Sequence, residues 1–220
     1  MVTLYGFKRV LELIVGATRD LRVEWVLQET GEPYCVHGLD FIAGDLNSAE
    51  FRRVSPFGQL PILDDEGFLL SESGAIVLYL ADKAGKLIPR DLRGRAEVTR
   101  WCFVALNTLE LPVLEVAEID FAAANDPSAR ARRPEAVKAV DLRLASIDTW
   151  LDDRAFVTGP DFTVADILLT TVLRQAKKLS LLEHWPRLDE YRARCEARPA
   201  WQRALDRYEE RLGVKPGSAR

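Results

Sequence analysis

The side chains best suited by type and order to do chemistry lie between Val54 and Lys83, in the run VSPFGQLPILDDEGFLLSESGAIVLYLADK. Ser71-Glu72-Ser73 opens a helix whose apolar positions Ile76, Val77, Leu80 and Ala81 recur at helical spacing. Such a helix start presents unpaired N–H groups and the positive end of the helix dipole, and so holds a carboxylate. Upstream, Gly58-Gln59-Leu60-Pro61 ends in a proline ahead of a short apolar strand, Ile62-Leu63, where its missing N–H is not needed by a sheet. An X-Pro bond has cheap access to the cis form. A cis Leu60–Pro61 bond turns the Leu60 N–H and C=O outward, free to pair with an extended peptide. A loop that offers backbone hydrogen bonds, beside a seat for a carboxylate, suits a small acidic peptide. The alternative is a plain β-hairpin, turning at Asp64-Asp65-Glu66-Gly67 and returning through Phe68-Leu69-Leu70, followed by a serine-capped helix with no ligand. Spacing alone leaves both readings open.

The stretch resembles the glutathione-binding half of the cytosolic glutathione transferase family. That family carries a loop of the form S/N-P-x-G-x-V/L-P and then an acidic-Ser pair at a helix start. Here these are Ser55-Pro56-Phe57-Gly58-Gln59-Leu60-Pro61 and Glu72-Ser73. The resemblance implies that the Leu60 backbone pairs with the cysteinyl unit of glutathione, that Pro61 is cis, and that Glu72 and Ser73 hold the γ-glutamyl end. Gln59 is a further contact. Arg19, Arg52 and Arg53 are cations available to the glycyl carboxylate, against the plain reading of solvated helix arginines.

Glutathione chemistry needs a thiolate, and a free thiol has a pKa of about 8.5. Lowering that by two pH units takes about 2.7 kcal/mol of preferential thiolate stabilisation. One hydroxyl aimed at the sulfur, with N–H groups at a helix start, supplies that order of energy. The family places a Tyr, Ser or Cys for this after the first strand. Thr18-Arg19-Asp20-Leu21-Arg22-Val23-Glu24-Trp25 resembles the S-R-x-x-R-V-x-W helix start of bacterial members, which puts Thr18 in the serine's place. A β-branched alcohol turns less freely than serine, and a plain N-cap is the competing role. Tyr5, on the first strand, is the rival activator, although strand alternation equally buries it. No cysteine lies nearby, which argues against the cysteine-dependent thiol-transfer branch. Lys8 to Gly16 is longer than the usual loop here, and is apolar and β-branched. It is expected either to fold over the second-substrate pocket or to extend the first strand or add a helical turn.

These residues must be held by a recognisable order of elements. Val2–Phe7 reads as a strand, Thr18–Thr30 as a helix ended by Gly31, and Tyr34–Phe41 as a second strand. Asn47–Phe51 reads as a short helix with an Asn47/Glu50 capping box, and the hairpin and helix above complete βαβαββα within residues 1–83. A helix between strands implies a parallel pair, and the hairpin is antiparallel. This is a thioredoxin-like order. Residues 84–93, with Pro89, read as a linker. Residues 94–212 have helical period throughout: Arg95–Ala124 with a kink at Pro112, a break at Asn125-Asp126-Pro127, then Pro134–Leu151, Thr163–Lys178, Pro186–Ala197 and a last helix from Pro199 to Leu212. The fold class is thus α/β plus all-α, with a flexible tail at 213–220. A second-substrate pocket is expected between the halves. Its candidates are Trp101, Asn107 and Glu110, with core packing the competing role of Trp101.

Composition bounds the rest. Apolar content of 48% and charged content of 29% are those of a soluble globular protein. A net charge of −4 supports no nucleic-acid or membrane partner built on bulk charge. No apolar run approaches a membrane span, and the N-terminal residues do not read as a signal peptide. Cys35, Cys102 and Cys195 are widely spaced and, like His37 and His184, form no metal-ligand pattern; buried or incidental thiols in a reducing, cytoplasmic compartment are expected, with no metal. The resemblance implies a homodimeric transferase that directs glutathione at a small electrophile. The rivals are a peroxidase, dehalogenase or isomerase using glutathione, or a non-catalytic binding or assembly module, since fold alone does not set function.

One device in the helical half is a folding signal. Thr163 and Asp166 form a capping box flanked by Phe162 and Ile167 as a hydrophobic staple. Thr163→Ala is expected to lower stability by about 1 kcal/mol in urea denaturation, with catalysis at the cleft unchanged.

Overall fold

The computed structural model describes residues 1–123 and 126–219. They divide into two compact units, one formed by residues 1–88 with 197–219 and the other by residues 89–123 with 126–196.

The first unit is built on a four-stranded sheet of order β2-β1-β3-β4. β1 (Val2–Arg9) pairs in parallel with β2 (Tyr34–Asp40), Leu4 opposite Val36 and Tyr5 opposite His37. β3 (Ile62–Asp65) runs antiparallel to β1, with Leu4 opposite Leu63, and β4 (Phe68–Ser71) returns beside it as the edge. The β3–β4 turn has positive φ at both Glu66 and Gly67, the conformation whose twist suits a two-residue hairpin. Alternation along β1 sends Val2 and Leu4 to one face, where both are fully buried. Tyr5 and Phe7 go to the other, against an apolar cluster of Leu39, Phe51, Leu60 and Ile62.

Helix α1 (Asp20–Thr30) stops at Gly31, whose φ of 76° no β-carbon would tolerate well, and α3 (Ser73–Ala84) stops at Gly85 in the same way. The short helix α2 (Ala49–Val54) is capped by Ser48, whose hydroxyl accepts the Phe51 N–H at 3.1 Å. The expected Asn47/Glu50 box is therefore one residue out of register: Asn47 ends a preceding 3-10 turn, and its side chain accepts from Arg52. Two adjacent capping residues leave the choice to how the chain leaves β2. The 8–16 stretch takes both plainer forms expected of it. β1 continues to Arg9, and a 3-10 turn spans Glu12–Ile14, with Val10 and Val15 buried and Leu11 and Leu13 exposed.

In the second unit, α4 (Leu92–Phe103) begins at the Asp91 cap, so the break between the halves is shorter than the expected 84–93. A π-helical turn, Val104–Leu109, leads into α5 (Glu110–Ala122). Pro112 was expected to kink this run, and the irregularity falls in the turn just before it. Proline lacks the N–H that would bond back to residue 108 and its ring crowds that carbonyl, and a widened turn relieves both. The break expected at Asn125 lies outside the described residues. A single turn, α6 (Pro127–Arg130), precedes α7 (Arg133–Trp150), α8 (Val164–Lys178) and α9 (Pro186–Glu196). The capping box forms: Asp166 accepts the Thr163 N–H at 2.8 Å, and its carboxylate also takes the Val157 N–H and the Tyr191 hydroxyl. Burial pushes the Cys102 and Cys195 thiols up to about 12, so both stay protonated. Among the described residues, no helix is long and apolar enough to cross a membrane.

The last helix, α10 (Pro199–Leu212), departs from the expected plan, which assigned it to the all-helical half. It belongs to the first unit and packs on α1. The Trp201 ring packs tilted against Trp25, centroids 4.5 Å apart, Arg198 forks onto Glu29, and Arg211 reaches between α1 and β1 to bond Asp20, Glu24 and the Phe7 carbonyl. The tail, expected to be flexible, folds back: Glu209 accepts the N–H groups of Gly217 and Ala219, and Ala219 is fully buried. Amphipathic period marks α10 as a surface helix and cannot say which body it covers.

Burial pushes Glu24 up to about 7, outweighing the Arg211 guanidinium, with the Asp20 carboxylate adding to the rise. Between the ordinary glutamate value and 7, the folded chain keeps a proton that the unfolded chain gives up. Stability from this group is therefore fully present at low pH and falls as pH rises through that window, by at most about 3 kcal/mol. Urea midpoints measured from pH 5 to pH 8 should fall, and Glu24→Gln should flatten that slope.

Candidate active site

Ser55, Gln59 and the Leu60–Pro61 junction form one wall of a cleft. Buried Ser55 ties down both backbone groups of Gln59: its hydroxyl donates to the Gln59 carbonyl and accepts the Gln59 N–H, each at 2.9 Å. Gly58 has φ 64°, and a β-carbon there would lie 2.5 Å from the Arg52 guanidinium, which wraps the loop and donates to the Pro56 carbonyl. The Leu60–Pro61 bond is cis. The Leu60 side chain is buried in the cluster described above, while the strand ladders begin at Ile62, so the Leu60 N–H and C=O lie outside them.

The facing wall is the mouth of α3. Glu72 is the N-cap with φ 69° and ψ 113°, a conformation non-glycine residues rarely hold, and its side chain is exposed. Ser73, the first helical residue, is buried, and Arg22 from α1 donates to its hydroxyl oxygen at 3.3 Å. Because the Ile76 N–H already bonds the Glu72 carbonyl, the N–H groups of Ser73, Gly74 and Ala75 are those the helix leaves for a ligand. Between these walls lies a shallow cleft open to solvent. Gln59, Leu60, Pro61, Glu72 and Ser73 all line it, together with Arg19, Ser55, Phe57 and Ser71.

The electrostatics suit a zwitterion. N–H groups left by the helix, its dipole and the Arg22 guanidinium behind Ser73 make one end positive, and the Glu72 carboxylate beside it is of the charge that would pair with an ammonium. Arg19 adds a cation at the cleft wall. Arg22 was not singled out from the sequence. The signal available was an arginine set among the core residues Leu21, Val23 and Trp25, where a charge must find a buried partner.

Other candidates stand apart from this lining. Arg52 is committed to its own loop, and Arg53 is exposed. Tyr5 is half-buried, 5.0 Å from the His37 ring and packed on the Leu60 cluster. The Thr18 hydroxyl is not the cap of α1, which starts at Asp20; it bonds the Tyr208 hydroxyl at 2.8 Å. The second-pocket candidates differ in exposure. Trp101 is buried, its ring 5.3 Å from Trp150 and its N–H on Glu97; Glu110 is buried, and Asn107 is exposed on the π-helical turn. The π-helical turn changes which faces these residues share, a shift that α-helical spacing could not anticipate.

Residues 12–82 match the model of the glutathione S-transferase N-terminal domain, and residues 116–199 that of the C-terminal domain. Human glutathione S-transferase theta-1 is 30% identical over 174 residues, covering 75% of this chain and 72% of that one. Human glutathione S-transferase theta-2 is 29% identical over 202 residues, covering 87% and 81%. A crystal structure of a glutathione transferase family member from Pseudomonas fluorescens, with two glutathione bound, superposes with a TM-score of 0.82 at 28% identity over 93% of this chain and 92% of that one. A glutathione transferase from Burkholderia graminis, with two glutathione molecules per subunit, gives a TM-score of 0.80 at 27% identity, covering 93% and 87%. The chain belongs to the glutathione S-transferase family. It joins a thioredoxin-like N-terminal domain to a helical C-terminal domain, and it is a transferase.

Proposed function

We propose that this protein binds glutathione in the cleft between Leu60 and the mouth of α3 and directs its thiolate at a small electrophile. The observation that carries this reading is the pairing, in one cleft, of a backbone outside the sheet ladder at Leu60 with the Glu72-Ser73 helix start. The γ-glutamyl carboxylate sits on the N–H groups of α3 and the Ser73 hydroxyl, whose oxygen Arg22 already holds. The γ-glutamyl ammonium meets Glu72. The cysteinyl unit pairs with the Leu60 N–H and C=O as a short extended strand, with Gln59 beside it, and Arg19 faces the glycyl carboxylate. This arrangement delivers the sulfur toward the start of α1, where the Thr18 hydroxyl donates to the thiolate. Attack of that thiolate forms a carbon–sulfur bond and expels the leaving group, or adds across an activated double bond. Asn107 is the one exposed member of the trio assigned to the electrophile.

Ser73→Ala and Glu72→Ala should each weaken glutathione binding by about 1.5–3 kcal/mol, as for loss of a charge-assisted hydrogen bond. Titration calorimetry measures this directly; affinities equal to that of the parent protein would remove the assignment.

We further propose a cytoplasmic location for the protein, a reducing compartment in which the free thiols Cys35, Cys102 and Cys195 would stay reduced. It is further proposed to act as a homodimer. Phe68 and Leu69 lie exposed on the edge strand β4, and Phe103, Leu111 and Phe121 are exposed in the helical unit. Apolar surface of this kind on a charged protein is what a second copy covers. Phe68→Glu should shift sedimentation from dimer to monomer; a parent protein that sediments as a monomer at micromolar concentration overturns the dimer.

A further inference from the structure

The last helix reaches the segment that carries Thr18. Tyr208 on α10 is fully buried, and its hydroxyl accepts the Gly16 N–H at 3.2 Å while lying 2.8 Å from Thr18 Oγ1. We propose that Tyr208 is a positioning residue for thiol activation: its phenol donates to Thr18 Oγ1, which leaves the Thr18 proton to point at the glutathione sulfur. The inference rests on the assignment of Thr18 as the thiolate's partner.

At 2.8 Å either hydroxyl can donate, and a bound sulfur that takes the Thr18 proton selects the direction. The Tyr208 oxygen already accepts from Gly16. Were Thr18 the donor, the phenol would accept twice, and its own proton would find no acceptor among the described residues. With Tyr208 as donor every group is used once, in the order Gly16 N–H to Tyr208, Tyr208 O–H to Thr18, Thr18 O–H to sulfur. Each link polarises the next and makes the last hydroxyl a stronger donor. A β-branched threonine also has few rotamers, and a fixed bond on its oxygen selects one of them. This answers the objection that threonine turns less freely than serine.

The charged groups facing Tyr208 keep the phenol protonated. Burial, and then the Asp20 carboxylate, push it upward, against a smaller opposite pull from Arg211, whose guanidinium lies 5.3 Å from the ring centre. The tail fixes the other end of the relay. Glu209 holds Gly217 and Ala219, and Ala219 lies so close to Gly16 that a β-carbon there would stand 2.5 Å from its carbonyl oxygen. Gly16, at φ 75°, is thus clamped where its N–H meets Tyr208.

The test measures the pKa of the enzyme-bound thiol by thiolate absorbance, and the pH profile of kcat/KM, in Thr18→Ala, Tyr208→Phe and the double variant. Thr18→Ala and Tyr208→Phe should each raise the thiol pKa by about one pH unit, lowering kcat/KM at pH 6.5 about tenfold. The double variant should go no further, because both act through one hydroxyl. Glutathione affinity by calorimetry should stay within twofold in Tyr208→Phe, which a merely loosened fold would not give. A shift in Thr18→Ala with none in Tyr208→Phe, or additive shifts, overturns the inference and leaves Thr18 in place. No shift in either removes the Thr18 assignment and the inference with it. Should Tyr208→Phe not fold, 3-fluorotyrosine at position 208 keeps the shape and strengthens the donor. It should lower the thiol pKa, and an unmoved thiol overturns the relay.

Discussion

Everything at the cleft depends on Leu60 having its side chain in the core and its backbone outside the sheet ladder. The side chain packs with Leu39, Phe51 and Ile62 beneath the sheet. Burying it contributes about 2 kcal/mol and fixes where the next peptide groups emerge. Pro61 follows, and the ladder to β1 starts only at Ile62. The core therefore holds a strand end still while leaving one N–H and one C=O outside the sheet. A flexible loop could offer the same two groups but would lose their freedom on binding, at about 1–2 kcal/mol for each residue ordered.

The α3 mouth is built on the same logic. Ser73 is buried at the first helical position, and Arg22 holds it from behind. A buried arginine is costly unless it is partnered, and here it turns a neutral hydroxyl into part of a positive corner. Glu72 is held in an unfavourable backbone conformation at the boundary between β4 and α3. Such a conformation persists where the surroundings overdetermine it. The hairpin on one side and the packed helix on the other do so, and the carboxylate is left at the rim of the cleft.

The final helix binds the N-terminal fold into one body. Arg211 satisfies Asp20, Glu24 and the Phe7 carbonyl together, and Gly6 is what admits them, since a β-carbon there would stand 2.8 Å from Asp20. Trp201 on Trp25 and Arg198 on Glu29 extend the contact along α1. The helix that carries Tyr208 to Thr18 is thus held both by apolar packing and by buried charge.

Much of this was legible in residue order. The βαβαββα sequence of elements, the hairpin, the Thr163/Asp166 box and the residues that line the cleft all follow from local signals: periodicity, turn chemistry and caps act over a few residues and leave their mark in the sequence. Tertiary packing decided the rest. Adjacent Asn47 and Ser48 are both good caps, and only the exit from β2 chose Ser48. Pro112 announced an irregularity, but the π-helical turn before it set which faces Trp101, Asn107 and Glu110 occupy. The home of α10, the folded tail and the Thr18–Tyr208 bond join residues nearly two hundred positions apart. A pattern of period 3.6 states that a helix has a buried face and says nothing of what will bury it, because that depends on the summed packing of the whole unit.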